Sequence, residues 1–252
     1  MAQAVSAPGA RPGGPRARMG DLAGGGAVAS KADADPAPGY GNGPGYWNAR
    51  YEKDPEPFEW LENYTDLREM LEEITAGDRG ARVLHVGCGN STLPEKMYDA
   101  GYQDIVNIDT SGVVIRQMAE RNVQRAAMRW LEMDATDLST FGDGCFDLVL
   151  DKSVLDTFAC TDNALVTIAT YLKEICRVLR PGGTYLCVSY GAPSTRLNFL
   201  ELPHLEFQMR QVEIPAKYEA SNPHHAYICR KPMEPTGKAL RYEEVLKTFS
   251  HS

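Results

Sequence analysis

The chain has 252 residues, enough to bury the core of one large domain or two small ones. Its net charge of −8 argues against binding to nucleic acid, because phosphate contacts need clustered Lys and Arg. An acidic surface is compatible with a basic protein partner. The sequence has no apolar run of membrane-spanning length and no apolar signal-peptide core, so neither a membrane span nor secretion is expected. The six cysteines form no C-x-x-C pair, which fits reduced thiols in the cytosol or nucleus. We expect a cytoplasmic protein and a monomer.

Residues 1–45 are rich in Gly, Ala and Pro and have few large apolar side chains. Such a segment buries too little surface to offset its ordering entropy, so we predict a disordered tail. Three arginines precede any acidic residue, which leaves an organelle transit peptide as the alternative. From Tyr46 the composition changes to dense aromatics, which predict a cover that packs on a domain of residues 46–232. Residues 233–252 are interpreted as a C-terminal extension whose sequence says little about structure or function.

Apolar residues at helical spacing predict an amphipathic helix from Leu61 to Ile74 that ends near Gly77. Strands and helices then alternate with short loops. The predicted strands are 82–86, 104–108, 128–133, 146–150 and 184–189, and the predicted helices are 92–100, 112–125 (capped by Ser111) and 165–179. This alternation indicates parallel βαβ units, hence an α/β fold with a doubly wound, mostly parallel sheet. Alternating polarity over 204–214 and an apolar run over 226–231 predict an antiparallel C-terminal strand pair at one sheet edge.

A glycine turn follows the first predicted strand, where Val83–Val86 runs into Gly87 and Gly89. Glycine lets backbone N–H groups approach a ligand, because it has no Cβ to hold the ligand away. A G-x-G pattern alone is a weak signal, and its value here depends on the residues downstream.

Acidic residues follow the next three strands. Ligands of open α/β sheets bind at the carboxyl ends of the strands, where a carboxylate such as Asp109 accepts the ribose hydroxyls of a nucleoside. Asp134 is placed to accept the exocyclic amine of an adenine. Asp151 and Lys152 end the fourth strand, beside the reactive end of such a ligand.

The motifs that are missing from the glycine turn indicate which kind of nucleoside ligand it binds. A dinucleotide would need a third glycine at position 92, where this chain has Thr92, and no G-K-[ST] phosphate loop is present. An adenosyl ligand without phosphates needs only the turn and the two carboxylates. S-adenosylmethionine fits that description.

The Gly87–Asp109–Asp134 series resembles the class I, seven-stranded S-adenosylmethionine-dependent methyltransferases, over about residues 46–231. His85 and Ser91 depart from the commonest pattern, which has an acid and a glycine there. A narrower group resembles the chain more closely: the methyltransferase-like proteins that act on lysines of translation elongation factor 1-alpha. That resemblance is carried by Tyr46-Trp47-x-x-Arg50-Tyr51, Trp60, Gly87-Cys88-Gly89-Asn90-Ser91 and Asp151-Lys152-Ser153-Val154-Leu155-Asp156, where the group has Gly at position 153.

The resemblance implies a seven-stranded sheet and a protein lysine as the methyl acceptor, possibly on the elongation factor. With the turn glycine Gly89 included, the expected cofactor contacts are Trp47, Tyr51, Trp60, Gly87, Gly89, Asp109, Thr110, Asp134, Ala135 and Lys152. A target lysine must lose its proton before it attacks, and a nearby carboxylate can orient the amine. Asp151 is our first candidate for that catalytic role and Asp156 the second.

Two other functions stay open from the sequence. One is a small-molecule O- or N-methyltransferase on the same fold, and the other is a non-catalytic scaffold that keeps the cofactor pocket. Methylation of nucleic acid is disfavoured, because residues 151–154 do not match the [ND]-P-P-[YFW] signature of base methylation. His224 and His225 lack a third ligand at suitable spacing, so no metal is expected.

Overall fold

A computed structural model describes residues 43–218, 221–235, 237 and 239–249. The predicted tail lies outside these residues except for its last three, which begin the first helix. In chain order the helices and strands are α1 (Gly43–Lys53), α2 (Tyr64–Ile74), β1 (Val83–Val86), α3 (Leu93–Asp99), β2 (Ile105–Asp109), α4 (Gly112–Arg121), β3 (Arg129–Glu132), β4 (Phe146–Lys152), α5 (Val154–Ala159), α6 (Ala164–Val178), β5 (Leu179–Ser189), α7 (Pro193–Leu200), β6 (Gln208–Ile214), β7 (His224–Arg230) and α8 (Tyr242–Phe249).

The strands form one seven-stranded sheet in the order β3-β2-β1-β4-β5-β7-β6. The first five strands pair in parallel, and β7 pairs antiparallel with both β5 and β6. The predicted doubly wound, mostly parallel α/β sheet with an antiparallel C-terminal pair is confirmed. Strand order reverses between β1 and β4, which is where such sheets bind ligands.

Helices cover both faces of the sheet, which explains why its central strands are almost wholly apolar. On one face α6 contributes Ile168 and Leu172 to a core with β1, β2 and β4. On the other face Leu67 and Leu71 of α2 pack with Met97 of α3. Within the described part of the chain, no helix is both long and apolar enough to cross a membrane.

The predicted boundaries shift where side chains terminate an element. Helix α2 begins at Tyr64, three residues later than Leu61, because Asn63 accepts hydrogen bonds from the first turn and Asp66 bonds back to the Asn63 N–H. Leu61 itself has φ +60, a left-handed conformation outside any helix. The predicted Ser111 cap of α4 is confirmed by a hydrogen bond from the Val114 N–H.

Among the helices that were not expected from the sequence are α5 and α7. Both have eight residues or fewer, which is too short for a periodic apolar pattern to develop. Helix α5 matters for the site, because it begins directly after the carboxyl end of β4.

Candidate active site

A cavity opens at the carboxyl edge of the parallel strands, beside β1, β2, β3 and β4. Nine of the ten expected cofactor contacts line it: Trp47, Tyr51, Trp60, Gly87, Asp109, Thr110, Asp134, Ala135 and Lys152. Seven further residues of the lining were not expected: Gly43, Pro44, Met133, Ser153, Val154, Thr157 and Phe158. The structure therefore brings α1, the turn after β1 and the ends of the next three strands around one space.

The glycine turn keeps the floor of this cavity open. Gly87 has φ +54, and a Cβ built there would overlap Cγ2 of Val154. Gly89 has φ +51 and lies beneath Tyr51, whose hydroxyl would be 2.7 Å from a Cβ at that position. Gly89 is the one expected contact that does not line the cavity, and its small size serves the packing of Tyr51.

Asp109 is buried yet reaches the cavity. Its Oδ2 accepts the Gly89 N–H and its Oδ1 accepts the Ser111 N–H, both at 2.9 Å. Burial raises the pKa of Asp109 to about 6, and these two N–H donors oppose the rise. Each carboxylate oxygen can accept a second hydrogen bond, so the side chain is fixed and still able to accept hydroxyl donors.

Asp134 stands exposed after β3. Its Oδ1 accepts both the N–H and the hydroxyl of Thr136 at 2.8 Å, which fixes the direction of the side chain. Met133, Ala135 and Phe158 line the cavity around it. Apolar side chains with one carboxylate acceptor suit a flat ring that carries an amino group, as adenine does.

Lys152 is a buried cation in the cavity wall. Its Nζ donates to Glu59 Oε2 at 3.0 Å and to the Trp60 carbonyl oxygen at 2.8 Å. Burial lowers the pKa of Lys152, and the Glu59 carboxylate opposes that change. The lysine thereby holds the connection between α1 and α2 over the end of β4.

Glu59 is a site residue that the sequence reasoning missed. Its carboxylate accepts the Ser91 hydroxyl at 2.6 Å and both the N–H and hydroxyl of Thr92 at 2.7 Å. Burial acts to raise the pKa of Glu59, but Lys152 and these donors outweigh it and the pKa is lowered. We call residues 59–62 the strap, because they cross the edge of the sheet from the glycine turn toward β7.

Helix α1 roofs the cavity with residues of the aromatic segment. Trp47 and Tyr51 stack with ring centroids 6.1 Å apart. Asn48 accepts the Ser111 hydroxyl at 2.7 Å, and Gln117 donates to the Tyr51 carbonyl oxygen at 3.1 Å. These two hydrogen bonds fasten the roof to α4.

The structure argues against Asp151 as the group that orients the target amine. The side chain is fully buried and does not line the cavity. Its carboxylate accepts the N–H groups of Val154 and Leu155 at 2.7 and 3.2 Å, and the hydroxyls of Tyr171 and Tyr185 at 2.9 and 2.6 Å. Burial raises the pKa of Asp151 to about 6, against these hydrogen bonds. Asp151 holds the first turn of α5.

Asp156, the second candidate, is also turned away from the cavity. It accepts hydrogen bonds from Ser189 Oγ, from the Tyr190 N–H at 2.9 Å and from Ser153 Oγ at 3.1 Å. Arg196 completes the set with an ion pair at 2.9 Å. The physical argument is the same as for Asp151: protein donors already occupy the carboxylate.

The topology and the site together define the class. A seven-stranded sheet with a reversed C-terminal pair, a glycine turn after β1 and acids after β2 and β3 make this a class I methyltransferase fold. A family described as "Methyltransferase domain" matches residues 84–187. The N-methyltransferase NodS of Bradyrhizobium japonicum, solved with S-adenosyl-L-homocysteine, superposes with a TM-score of 0.58 and 17% identity, covering 74% of this chain and 98% of that one.

Curated relatives narrow the class to a family. The eEF1A lysine and N-terminal methyltransferase of Mus musculus is 46% identical over 149 residues, which are 57% of this chain and 21% of the relative. EEF1A lysine methyltransferase 4 of Bos taurus is 31% identical over 200 residues, 75% of each chain. The chain belongs to the eEF1A lysine methyltransferase family, as the sequence resemblance predicted. It spans about a fifth of the length of the mouse relative.

Proposed function

We propose that this protein binds S-adenosylmethionine in the cavity and transfers its methyl group to a lysine amine of a protein. What supports the proposal most is that nine expected contact residues, from separate parts of the chain, line one cavity. The relatives at 31% and 46% identity are named for methylation of eEF1A, which makes translation elongation factor 1-alpha the first substrate to test. An enzyme with that substrate acts in the cytoplasm, and we propose that it acts as a monomer.

Different residues of the cavity would contact different parts of the cofactor. Asp109 would accept the ribose hydroxyls, Asp134 would accept the adenine amine, and the backbone at Gly87 would lie against the methionyl part. When bound, S-adenosylmethionine supplies an electrophilic methyl group on a sulfonium sulfur. Lys152 and Trp60 border the end of the cavity next to β4, where the acceptor amine arrives. The protein accelerates the reaction mainly by holding amine and methyl group in line.

Titration with S-adenosylmethionine tests the binding half of this proposal. Asp109→Ala should weaken binding roughly 100-fold, since hydrogen bonds to a charged acceptor contribute about 1.5–3 kcal/mol each. The matched control is Asp104→Ala, an exposed acid just before the opposite end of β2 that pairs with Arg82 and Arg129. Equal affinity in the wild type and in both variants would contradict the site.

Incubation of the enzyme with labelled cofactor and lysate tests the substrate. We expect label in a protein of the size of elongation factor 1-alpha, and mass spectrometry should find methyl-lysine there. Label confined to the small-molecule fraction would favour the small-molecule methyltransferase instead. Binding of cofactor without transfer to any component would favour the scaffold.

A further inference from the structure

The far end of the strap holds a second polar cluster that the cofactor site does not use. Glu62 is fully buried, and its Oε1 lies 2.7 Å from Nδ1 of His224. Its Oε2 lies 2.7 Å from Nζ of Lys217, which is also 2.6 Å from Oδ2 of Asp66. One oxygen of this buried carboxylate is therefore hydrogen-bonded to an imidazole, and the other lies in an ion pair with Lys217.

His224 does not line the cavity, but the strand register places it at the same edge of the sheet as the end of β4. Lys152 of β4 pairs with Val188 of β5, and Val188 pairs with Ala226 of β7. Neighbouring strands lie about 4.8 Å apart, so positions 152 and 226 are separated by about 10 Å. His224 is two residues before Ala226 in an antiparallel strand, so it shares the sheet face of Ala226 and extends past the carboxyl edge of β5.

The strap joins the two positions. The Trp60 carbonyl oxygen accepts the Lys152 ammonium, and two residues later Glu62 accepts the His224 imidazole. Glu62 and Lys217 are close enough to Lys152 to act on its pKa. The cavity lining at Trp60 and the His224 cluster are thus two ends of one short segment.

The contact with Glu62 orients the imidazole of His224 and uses only one of its two ring nitrogens. An ionised carboxylate can only accept, so in the neutral imidazole Nδ1 carries the proton toward Glu62 and Nε2 carries the lone pair. Among the described residues Nε2 has no hydrogen-bond partner, and it is almost out of contact with solvent. A buried acceptor without a partner is unfavourable, so an N–H donor brought by a ligand would be stabilised at Nε2.

The surroundings suit a cation that gives up a proton. Tyr190 lies against His224 with ring centroids 6.1 Å apart and is 42% exposed, so an ammonium group can pass over its ring from solvent. Glu62 and Asp66 carry two negative charges against the single positive charge of Lys217. A proton on His224 would neutralise the remaining charge. On the far side, Lys152 is already paired with Glu59.

We propose that Nε2 of His224, held by Glu62, accepts the proton of the target lysine ammonium. The proposal rests on the proposed function, and it gives the deprotonating role to a residue other than Asp151 or Asp156. The proton moves from the ammonium nitrogen to Nε2 and leaves an imidazolium paired with Glu62. The freed lone pair of the amine then forms the nitrogen–carbon bond, as the carbon–sulfur bond breaks and its electrons stay on sulfur.

Single-turnover methylation of elongation factor 1-alpha at saturating S-adenosylmethionine tests this step. His224→Asn keeps a donor near the position of Nδ1 for Glu62 but removes the Nε2 acceptor. We expect its rate at pH 7 to fall roughly 100-fold, the contribution of a positioned base, with cofactor affinity unchanged. The neighbouring His225→Asn, whose ring lies toward Tyr227, is the matched control and should keep the wild-type rate.

The pH profile separates a base from a structural side chain. The His224→Asn rate should rise by about tenfold per pH unit, because solvent must then take the proton, whereas the wild-type rate should depend less steeply on pH. Added imidazole should restore part of the rate of His224→Ala. A His224→Asn rate equal to wild type overturns the proposal. A loss of rate that is matched by a loss of cofactor affinity, with an unchanged pH profile, also overturns the proposal. If the wild type itself transfers no methyl group, the proposed function fails as well.

Discussion

Four acidic residues lie at or just beyond the carboxyl ends of β2, β3 and β4, at the same edge of the sheet, but they have two different surroundings. Asp109 and Asp134 face the cavity, and each keeps the capacity to accept further hydrogen bonds. Asp151 and Asp156 face the protein, where each accepts at least four hydrogen bonds or ion contacts. The first pair is available to a ligand, and the second pair fixes the helix that follows β4.

The difference shows that a strand end defines where a residue lies but not what its side chain meets. After β2 and β3 the chain runs past the cavity, so the carboxylates remain at its wall. After β4 the short helix α5 turns its first N–H groups back toward Asp151, and two buried tyrosines close around the same carboxylate. Asp151 therefore stabilises the wall of the site but would not contact a ligand bound in the cavity.

The largest effect should come from filling the cavity floor. Gly87→Ala puts a Cβ into Cγ2 of Val154 and forces a left-handed conformation on alanine, with φ +54. We expect a loss of S-adenosylmethionine affinity above about 100-fold, because the turn must shift away from the cavity. Isothermal titration of the purified variant measures it.

Gly77→Ala is the matched control for that variant. Gly77 has φ +73 but no atom near the position of a Cβ. It should lose about 1 kcal/mol of unfolding free energy from conformation alone, with unchanged affinity. If both variants bind S-adenosylmethionine with the same affinity, the close approach of Val154 to Gly87 has no effect on ligand binding.

Exchanging the two kinds of acid for alanine should separate stability from binding. Asp151→Ala leaves two N–H groups and two tyrosine hydroxyls without their acceptor, and we expect it to lower the unfolding free energy by about 3 kcal/mol. Asp134→Ala, at an exposed position, should lower it by less than about 1 kcal/mol while it weakens cofactor binding. Denaturant titration and calorimetry distinguish them. A fully stable Asp151→Ala protein that cannot transfer methyl groups would restore Asp151 as a catalytic residue.

The pH dependence of S-adenosylmethionine binding should follow the ionisation of the Asp109 carboxyl group. Hydroxyl donors need the ionised carboxylate, and burial raises its pKa to about 6. Affinity is therefore complete above that pKa and is lost as the pH falls through it, by about tenfold between pH 7 and pH 5. Asp109→Asn should bind weakly with no such dependence. A wild-type affinity that is constant over this range would mean that the carboxylate does not receive the hydroxyls.

Much of the fold and part of the site follow from the sequence, because both depend on local patterns. Buried parallel strands are continuous apolar runs, and the turn after β1 needs glycine at Gly87 for a backbone reason. The acids after β2 and β3 are recognisable by their interval from that turn. These signals are readable without any knowledge of which side chains meet.

The remaining site residues depend on contacts between distant parts of the chain. Glu59 reaches Ser91 and Lys152, and Glu62 reaches His224 across 162 positions of sequence. Nothing at either end of these pairs marks them, since an acid in a connecting segment is ordinary. The saturation of Asp151 likewise comes from two tyrosines on α6 and β5, which only the assembled sheet brings together.

Ser153 stands where the two surroundings meet, lining the cavity and donating to Asp156 at 3.1 Å. It has φ +75, a conformation in which glycine is favoured over serine by about 1 kcal/mol. Ser153→Gly should therefore raise stability, but by less than about 1 kcal/mol, because the hydrogen bond to Asp156 is lost. Ala76→Gly, at φ +51 with no side-chain hydrogen bond to lose, is the control and should gain more. The difference between the two unfolding free energies measures what the Ser153–Asp156 contact contributes. Equal gains would mean that this contact adds nothing to the wall of the cavity.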